Sequence, residues 1–295
     1  MKRGKLIVVI GATGVGKSAY ALELARQLHT EIISADSRQI YKGMQIGTDA
    51  PTLSEVTSVP HHFVQCREVW ESYSADQYAT EALRVVSDLF RTYDTLVMVG
   101  GSMMYLQAFL FGFDPIPEVA PQLRDTLWQR FEEEGIAPLR NELRRVDPEY
   151  LKKIDPNNHK RIIRALEVYH TSGRPFSSFH SGSTPRTLPF EVELHWITRP
   201  REALYERINR RVGVMIQRGL VEEVRGLLPY RSENALNTIG YKEIFEYIDG
   251  TRSLEEAGQL IAKHSRTYAR QQIAYFKKWC RPGAPFPYRI IELPD

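Results

Sequence analysis

Cysteine is nearly absent from this chain of 295 residues: Cys66 and Cys280 are the only two, far apart and outside any C-x-x-C pair. That scarcity leaves a zinc module and a disulfide framework unsupported and fits a reducing compartment, the cytoplasm. Long apolar runs are missing too. None approaches the roughly 20 residues that cross a bilayer, so no membrane association is expected. The run in "MKRGKLIVVIGATG" spans about six residues and leads straight into a glycine-rich loop, which reads as a core strand and not as a signal peptide. A third absence is local. Between Glu256 and Glu292 no acidic residue occurs, while Lys263, Arg266, Arg270, Lys277, Lys278, Arg281 and Arg289 are all basic, in a chain whose net charge is only +3. A segment of that kind invites a polyanion. No internal repeat and no low-complexity segment is found.

What is present, 42% hydrophobic and 25% charged positions, suffices for one large core and a smaller one. "KLIVVI" (Lys5 to Ile10) is apolar on both faces, as a buried parallel strand is, and the loop after it opens a helix. "EIISAD" ends a second short strand at Asp36. Ser74, with Asp76 and Gln77 after it, caps a helix to about Arg91, and "TLVMVGG" is another buried strand ending in two glycines. This alternation predicts an α/β fold: a P-loop-type doubly wound parallel sheet flanked by helices. From about Glu118 to Leu188 the pattern turns helical with charged faces, and "VELHWIT" (Val192 to Thr198) restores the strand signal. The expected domains are therefore a core of residues 1–117 and 189–295, carrying C-terminal helices, and a helical insertion of residues 118–188.

The stretch Gly11, Ala12, Thr13, Gly14, Val15, Gly16, Lys17, Ser18 has the G-x-x-x-x-G-K-[ST] spacing of a phosphate-binding loop. Glycines let backbone N–H groups turn toward a phosphate, the following helix adds its positive end, Lys17 supplies a point charge and Ser18 can ligate magnesium. NTPases of this class usually end a second buried strand in an acidic residue. Here "LVMVGG" ends in Gly100, Gly101 and Ser102, which weakens a motor or GTPase reading and leaves transfer chemistry near Asp36. Asp36 could serve as a base for an acceptor, as a magnesium ligand or as a cap of the next turn. His61 and His62 are adjacent, point to opposite sides of a strand and lack a third ligand, so no metal site is expected there.

At this point a resemblance enters. In order, "GATGVGKS", "SADSRQIYKGMQIGT", "VGGSMMYLQAF", "DPNNHKRIIRALEVYHTSG", "IGYKE" and "RTYARQQIAYFKKW" resemble the motifs of the tRNA dimethylallyltransferase family, also called tRNA isopentenyltransferases. The resemblance runs from about Leu6 to Trp279. It implies that the loop grips the diphosphate of dimethylallyl diphosphate with Mg²⁺, and that the acceptor is N6 of the adenine 3′ of the anticodon, position 37, in tRNAs reading codons that begin with U. It makes Lys17, Asp36 and Ser102 the catalytic candidates, with Asp36 hydrogen-bonded to the adenine amine. Ser102 stands where the family usually has threonine, and Met103 and Met104 replace a commoner pair, with core filling as the expectation for both.

For the tRNA anticodon stem-loop the resemblance implies contacts from Asp36, Ser37, Arg38 and Gln39, from Arg124, from Lys160, Arg161, Ile162, Ile163 and Arg164, and from Asn237, Thr238, Ile239, Gly240, Tyr241 and Lys242. Gly240 would allow close approach and Tyr241 would be available for stacking; an ordinary core tyrosine at a helix start is the plainer reading. On the last long helix, Arg266, Arg270, Gln271, Lys277 and Lys278 recur at helical spacing opposite Ile261, Tyr268, Ile273 and Phe276, which are expected to face the core. The family's K-R-Q element is matched to Ala269, Arg270 and Gln271, so Arg270 and Gln271 are contact candidates and the lysine is missing. Arg207 and Arg211 are candidates to close over the diphosphate. A monomer is expected. Three other readings compete: a P-loop small-molecule or nucleoside kinase using ATP, a non-catalytic RNA-binding protein, and an enzyme that prenylates free adenine nucleotides.

Overall fold

The computed structural model describes residues 4–112, 118–179 and 185–294. In chain order its elements are β1 (Lys5–Gly11), α1 (Lys17–Gln27), β2 (Ile32–Ser34), α2 (Leu53–Ser58), β3 (His61–His62), α3 (Ala75–Leu89), β4 (Thr95–Gly100) and α4 (Met103–Leu110). Next come α5 (Pro121–Glu134), α6 (Ile136–Val146), α7 (Pro148–Leu151) and α8 (His159–Ser172), then β5 (Glu191–Thr198), α9 (Arg201–Gln217), α10 (Leu220–Gly226), α11 (Tyr241–Ile248), α12 (Leu254–Phe276) and β6 (Tyr288–Glu292).

The six strands form one sheet in the order β3-β2-β4-β1-β5-β6, every neighbouring pair parallel. This is the doubly wound P-loop-type sheet expected from the alternation. Leu6, Val8, Val9 and Ile10 in β1 are fully buried, because helices cover both faces of a parallel sheet. After β1 the chain winds to one side through β2, β3 and β4, then crosses to the other side for β5 and β6. A switch of that kind opens a crevice at the carboxyl end of β1. Two strands carry little sequence signal: β3 has only two residues, and β6 is a mostly exposed edge strand.

Close approach at the strand ends needs glycine. A Cβ on Gly100 would lie 2.1 Å from the Ala35 carbonyl, so only glycine lets the end of β4 run beside the end of β2. Beneath it Tyr78, fully buried on α3, donates to the Ser34 carbonyl at 3.0 Å and stacks on Tyr105 with centroids 4.3 Å apart. The predicted cap of α3 is present: Ser74 and Gln77 form a reciprocal capping box.

The chain divides into two compact units, Met1–Leu110 with Arg186–Asp295, and Phe111–Pro185. The sequence boundary after residue 117 falls at residues outside those described. In the first unit one core lies between α1, α12 and the sheet, with Val9, Val97, Ile208 and Ala269; a second joins α9 to α12 onto the segment after β2, with Ile40, Met44, Val212, Tyr241 and Ile261. The second unit packs α5, α6 and α8 around Leu127, Leu139, Leu143, Ile162, Ile163 and Leu166, and among its described residues no strand occurs.

Away from the crevice, Glu193 on β5 pairs with Lys5 of β1, with Arg289 of β6 at 2.5 Å and with His195 at 3.3 Å. Burial raises the Glu193 carboxyl, but the hydrogen bonds from Lys5, Arg289 and His195 outweigh it and hold the pKa at about 2. Two outcomes are expected. Gly100→Ala should cost more than about 3 kcal/mol or prevent folding, read by thermal denaturation. Glu193, depressed from 4.5, stabilises the fold above that pH and loses the contribution as pH falls toward about 2. Acid titration of stability should therefore show a loss on the order of 2 kcal/mol in that window, absent in Glu193→Gln.

Candidate active site

The phosphate loop sits at the carboxyl end of β1. Gly14 and Gly16 have φ of +77° and +104°, a region that other residues enter only under strain. The turn leaves the N–H groups of Gly14 and Gly16, and those of Lys17, Ser18 and Ala19 at the start of α1, without protein partners among the described residues. Lys17 folds back over the loop, Nζ 3.5 Å from the Ala12 carbonyl. Burial lowers its pKa, Asp36 opposes that, and Arg211 lowers it further. From α9, Arg207 donates to the Gly14 carbonyl at 3.2 Å and Arg211 to Thr13 Oγ1 at 3.2 Å. The structure thus brings the loop, Lys17, exposed Ser18, Arg207 and Arg211 around one cavity of about 410 Å³ that also reaches Asp36. Such a cluster attracts an anion with several oxygens.

Asp36 belongs to the turn after β2. Its Oδ1 accepts from the N–H groups of Arg38 at 2.9 Å and Gln39 at 3.2 Å, so the capping role is real for one oxygen. Its Oδ2 has no partner among the described residues. Ser102, buried at the start of α4, accepts from the Ser37 N–H at 2.7 Å and donates to Ser37 Oγ at 3.0 Å. Ser102 therefore positions the turn. Arg38 donates to the carbonyls of Asn234 and Ala235, and Gln39 to those of Thr48 and Asp49, so both side chains tie loops together rather than standing free.

A second cavity, about 330 Å³, is lined by Asp36, Ser37, Arg38, Ser102 and Tyr268, by Asn237 to Gly240 and Lys242, and by an apolar wall of Ile208, Val212, Met215 and Ile261. Thr13, Asp36, Thr48 and Arg211 line both cavities, which meet at Asp36. Tyr241 is a correction to the stacking expectation. Its ring is fully buried, its hydroxyl donates to Glu223 at 2.7 Å, and a Cβ on Gly47 would lie 2.6 Å from it. Glu223 also accepts from the N–H groups of Ile46 and Gly47, so the plainer reading of Tyr241 as a core residue holds.

On α12, Arg270 is exposed and donates to Thr267 Oγ1, Gln271 is exposed, and Ala269 is fully buried. Ile273, expected in the core, is 37% exposed. The residue of α12 that bonds the phosphate loop is Gln272, which sequence reasoning missed. It accepts from the Thr13 N–H and donates to the Gly101 carbonyl, both at 2.8 Å. Its signal was the 269, 272, 276 spacing, which places it on the buried stripe. Met104 is 55% exposed and so does not fill the core.

In the insertion, Lys160 and Arg161 are exposed on α8, whereas Ile162 and Ile163 are buried in its core and turn no side chain outward. Arg124 and Arg164 both donate to buried Glu167, at 2.9 Å each, an interaction that orients two guanidinium groups along one face. Outside the site, the His61 ring meets the Val59 carbonyl and the His62 ring meets Glu31.

The protein-family model described as IPP transferase matches residues 39–279. The chain belongs to the IPP transferase family. It is 46% identical to tRNA dimethylallyltransferase 1 of Phocaeicola vulgatus over 92% of this chain and 91% of that protein, and 44% identical to tRNA dimethylallyltransferase 1 of Porphyromonas gingivalis over 95% and 94%. Among solved structures it is similar to the tRNA isopentenylpyrophosphate transferase of Bacillus halodurans, with 32% identity, 99% and 92% coverage and a TM-score of 0.67. A eukaryotic dimethylallyltransferase acting on tRNA superposes with a TM-score of 0.81 at 27% identity, over 98% of this chain and 74% of that one. Membership of the IPP transferase family identifies a prenyl transferase enzyme and sets the kinase reading aside. For this IPP transferase, Arg211→Met should raise the dissociation constant of inorganic diphosphate roughly tenfold, read by isothermal titration, with tRNA affinity unchanged.

Proposed function

We propose that the protein transfers a dimethylallyl group from dimethylallyl diphosphate to N6 of the adenine at tRNA position 37, in tRNAs reading codons that begin with U, and releases diphosphate. The observation that carries this reading is the meeting of two cavities at Asp36, one of them walled by the phosphate loop and arginines, the other partly apolar. An allylic carbon–oxygen bond breaks readily once the departing diphosphate is neutralised, and Lys17, Arg207, Arg211 and the loop N–H groups supply that stabilisation without reorganising. The apolar wall keeps water from the allylic carbon. Asp36 Oδ2 then accepts a hydrogen bond from the adenine amine as it attacks and takes its proton, while Oδ1 keeps the turn in place. Ser102 and Ser37 hold that carboxylate in register.

Magnesium fits this donor set. The chain offers the Ser18 hydroxyl, and among the described residues no cluster of three His, Cys, Asp or Glu exists to form a cage. Mg²⁺ suits such a site, since it is held through one or two protein groups together with substrate phosphates. When bound it would neutralise charge on the leaving diphosphate. For the tRNA, exposed Asn237 and Lys242 lie at the second cavity, and Lys160, Arg161 and the paired Arg124 and Arg164 of the insertion suit phosphates of the anticodon stem-loop. The partner on this reading is RNA; among the described residues no helix is long and apolar enough to cross a membrane. The protein acts in the cytoplasm as a monomer on this reading.

Mass spectrometry of tRNA nucleosides from cells with and without the protein tests the reaction: prenylated adenosine should vanish on deletion. Asp36→Asn should slow single-turnover transfer by about 10²- to 10⁴-fold. It should leave tRNA affinity unchanged, because asparagine keeps the oxygen that caps the turn. An equal loss of both would assign Asp36 to structure alone. AMP competing fully with tRNA as acceptor would favour a free-nucleotide enzyme.

A further inference from the structure

One backbone donor of the phosphate loop is withheld from any ligand. The Thr13 N–H donates to Oε1 of Gln272, and Nε2 of the same side chain donates to the Gly101 carbonyl. The orientation of this amide is forced, since Thr13 N can only donate and the Gly101 oxygen can only accept. Gln272 is 1% exposed, so neither bond is shared with solvent. Space for it comes from the glycine directly after β4: a Cβ on Gly101 would lie 2.5 Å from Gln272 Nε2. Gly101 in turn precedes Ser102, which holds the Asp36 turn through Ser37.

We propose that Gln272 is the positioning residue that sets the phosphate count of the site, fitting it to a diphosphate ester and against a triphosphate. The inference rests on the prenyl diphosphate reading above. The helix start and the N–H groups of Gly14 and Gly16 remain for two phosphates. A third, extending back along the loop, arrives at Thr13 and finds its N–H already given to Gln272, where a phosphate loop open to triphosphates offers a donor. The discrimination comes from that missing donor, since a phosphate oxygen brought there loses its hydration without a hydrogen bond in return. The same side chain joins the donor loop to the β4–α4 connection, which places the leaving group and Asp36 in one frame.

Isothermal titration with inorganic diphosphate and inorganic tripolyphosphate, each with magnesium, reads the effect. The wild-type protein should prefer diphosphate by at least about tenfold, and Gln272→Leu should shift the ratio toward tripolyphosphate by a similar factor. That variant should also raise KM for dimethylallyl diphosphate with tRNA affinity unchanged. Gln272→Glu keeps the acceptor for Thr13 and should preserve the ratio while weakening both ligands. An unchanged ratio in folded Gln272→Leu overturns the proposal. If that variant does not fold, amide NMR of the wild-type protein decides. On addition of diphosphate the Gly14 and Gly16 resonances should move while Thr13 stays in place; movement of Thr13 with them overturns the proposal. Failure of the parent reading is distinct: a wild-type protein that consumes ATP and prenylates nothing would remove it, whereas one that prenylates tRNA yet binds both polyphosphates equally removes only the role of Gln272.

Discussion

Positive charge gathered at the carboxyl end of β1, with fewer carboxylates than cations beside it, is the constraint on which the rest of the site depends. Lys17, Arg207, Arg210 and Arg211 converge with the free N–H groups of the loop on one cavity, whose lining carboxylates are Asp36, Asp49 and Glu55. Burial lowers the Lys17 pKa, and an anion beside it would favour its charged form. The fold holds this repulsive arrangement together with hydrogen bonds to uncharged partners: Arg207 donates to the Gly14 carbonyl, Arg211 to Thr13 Oγ1, and the Thr13 N–H to Gln272.

The second half of the site is built on a different physical basis. The Asp36 turn carries a carboxylate whose two oxygens differ: one is tied to the backbone and the other has no partner among the described residues. Oδ1 is spent on the Arg38 and Gln39 N–H groups. The turn is then clamped by Ser102 on one side and by Arg38 and Gln39 reaching to other loops on the other. Glycines at 100 and 101 make the clamp possible, since any side chain at either would collide with the Ala35 carbonyl or with Gln272. The two halves are joined through Gln272, which bonds both the loop at Thr13 and the Gly101 carbonyl.

Much of this was legible in the sequence where local rules dominate. The loop spacing, the fully apolar β1 and the Ser74 capping box each depend on residues close in the chain, and each is found where periodicity and capping chemistry place it. Roles that depend on partners far along the chain were not legible. Tyr241 was open to two readings, a stacking platform or a core residue, and Glu223 and Gly47 enclose it. Ile162 and Ile163 sit in a basic motif, yet the helical period turns them inward while Lys160 and Arg161 face out. Gln272 was overlooked beside Gln271, because a one-residue step on a helix rotates a side chain by about 100° and so exchanges buried for exposed.

The sequence by itself determined the parallel α/β class, the phosphate loop and its aspartate partner, and the family, because these rest on contiguous motifs and on hydrophobic period. Tertiary structure alone decided which side chains remain free to act. Whether a donor or acceptor is available depends on what folds against it, and Thr13 meets its partner 259 residues away.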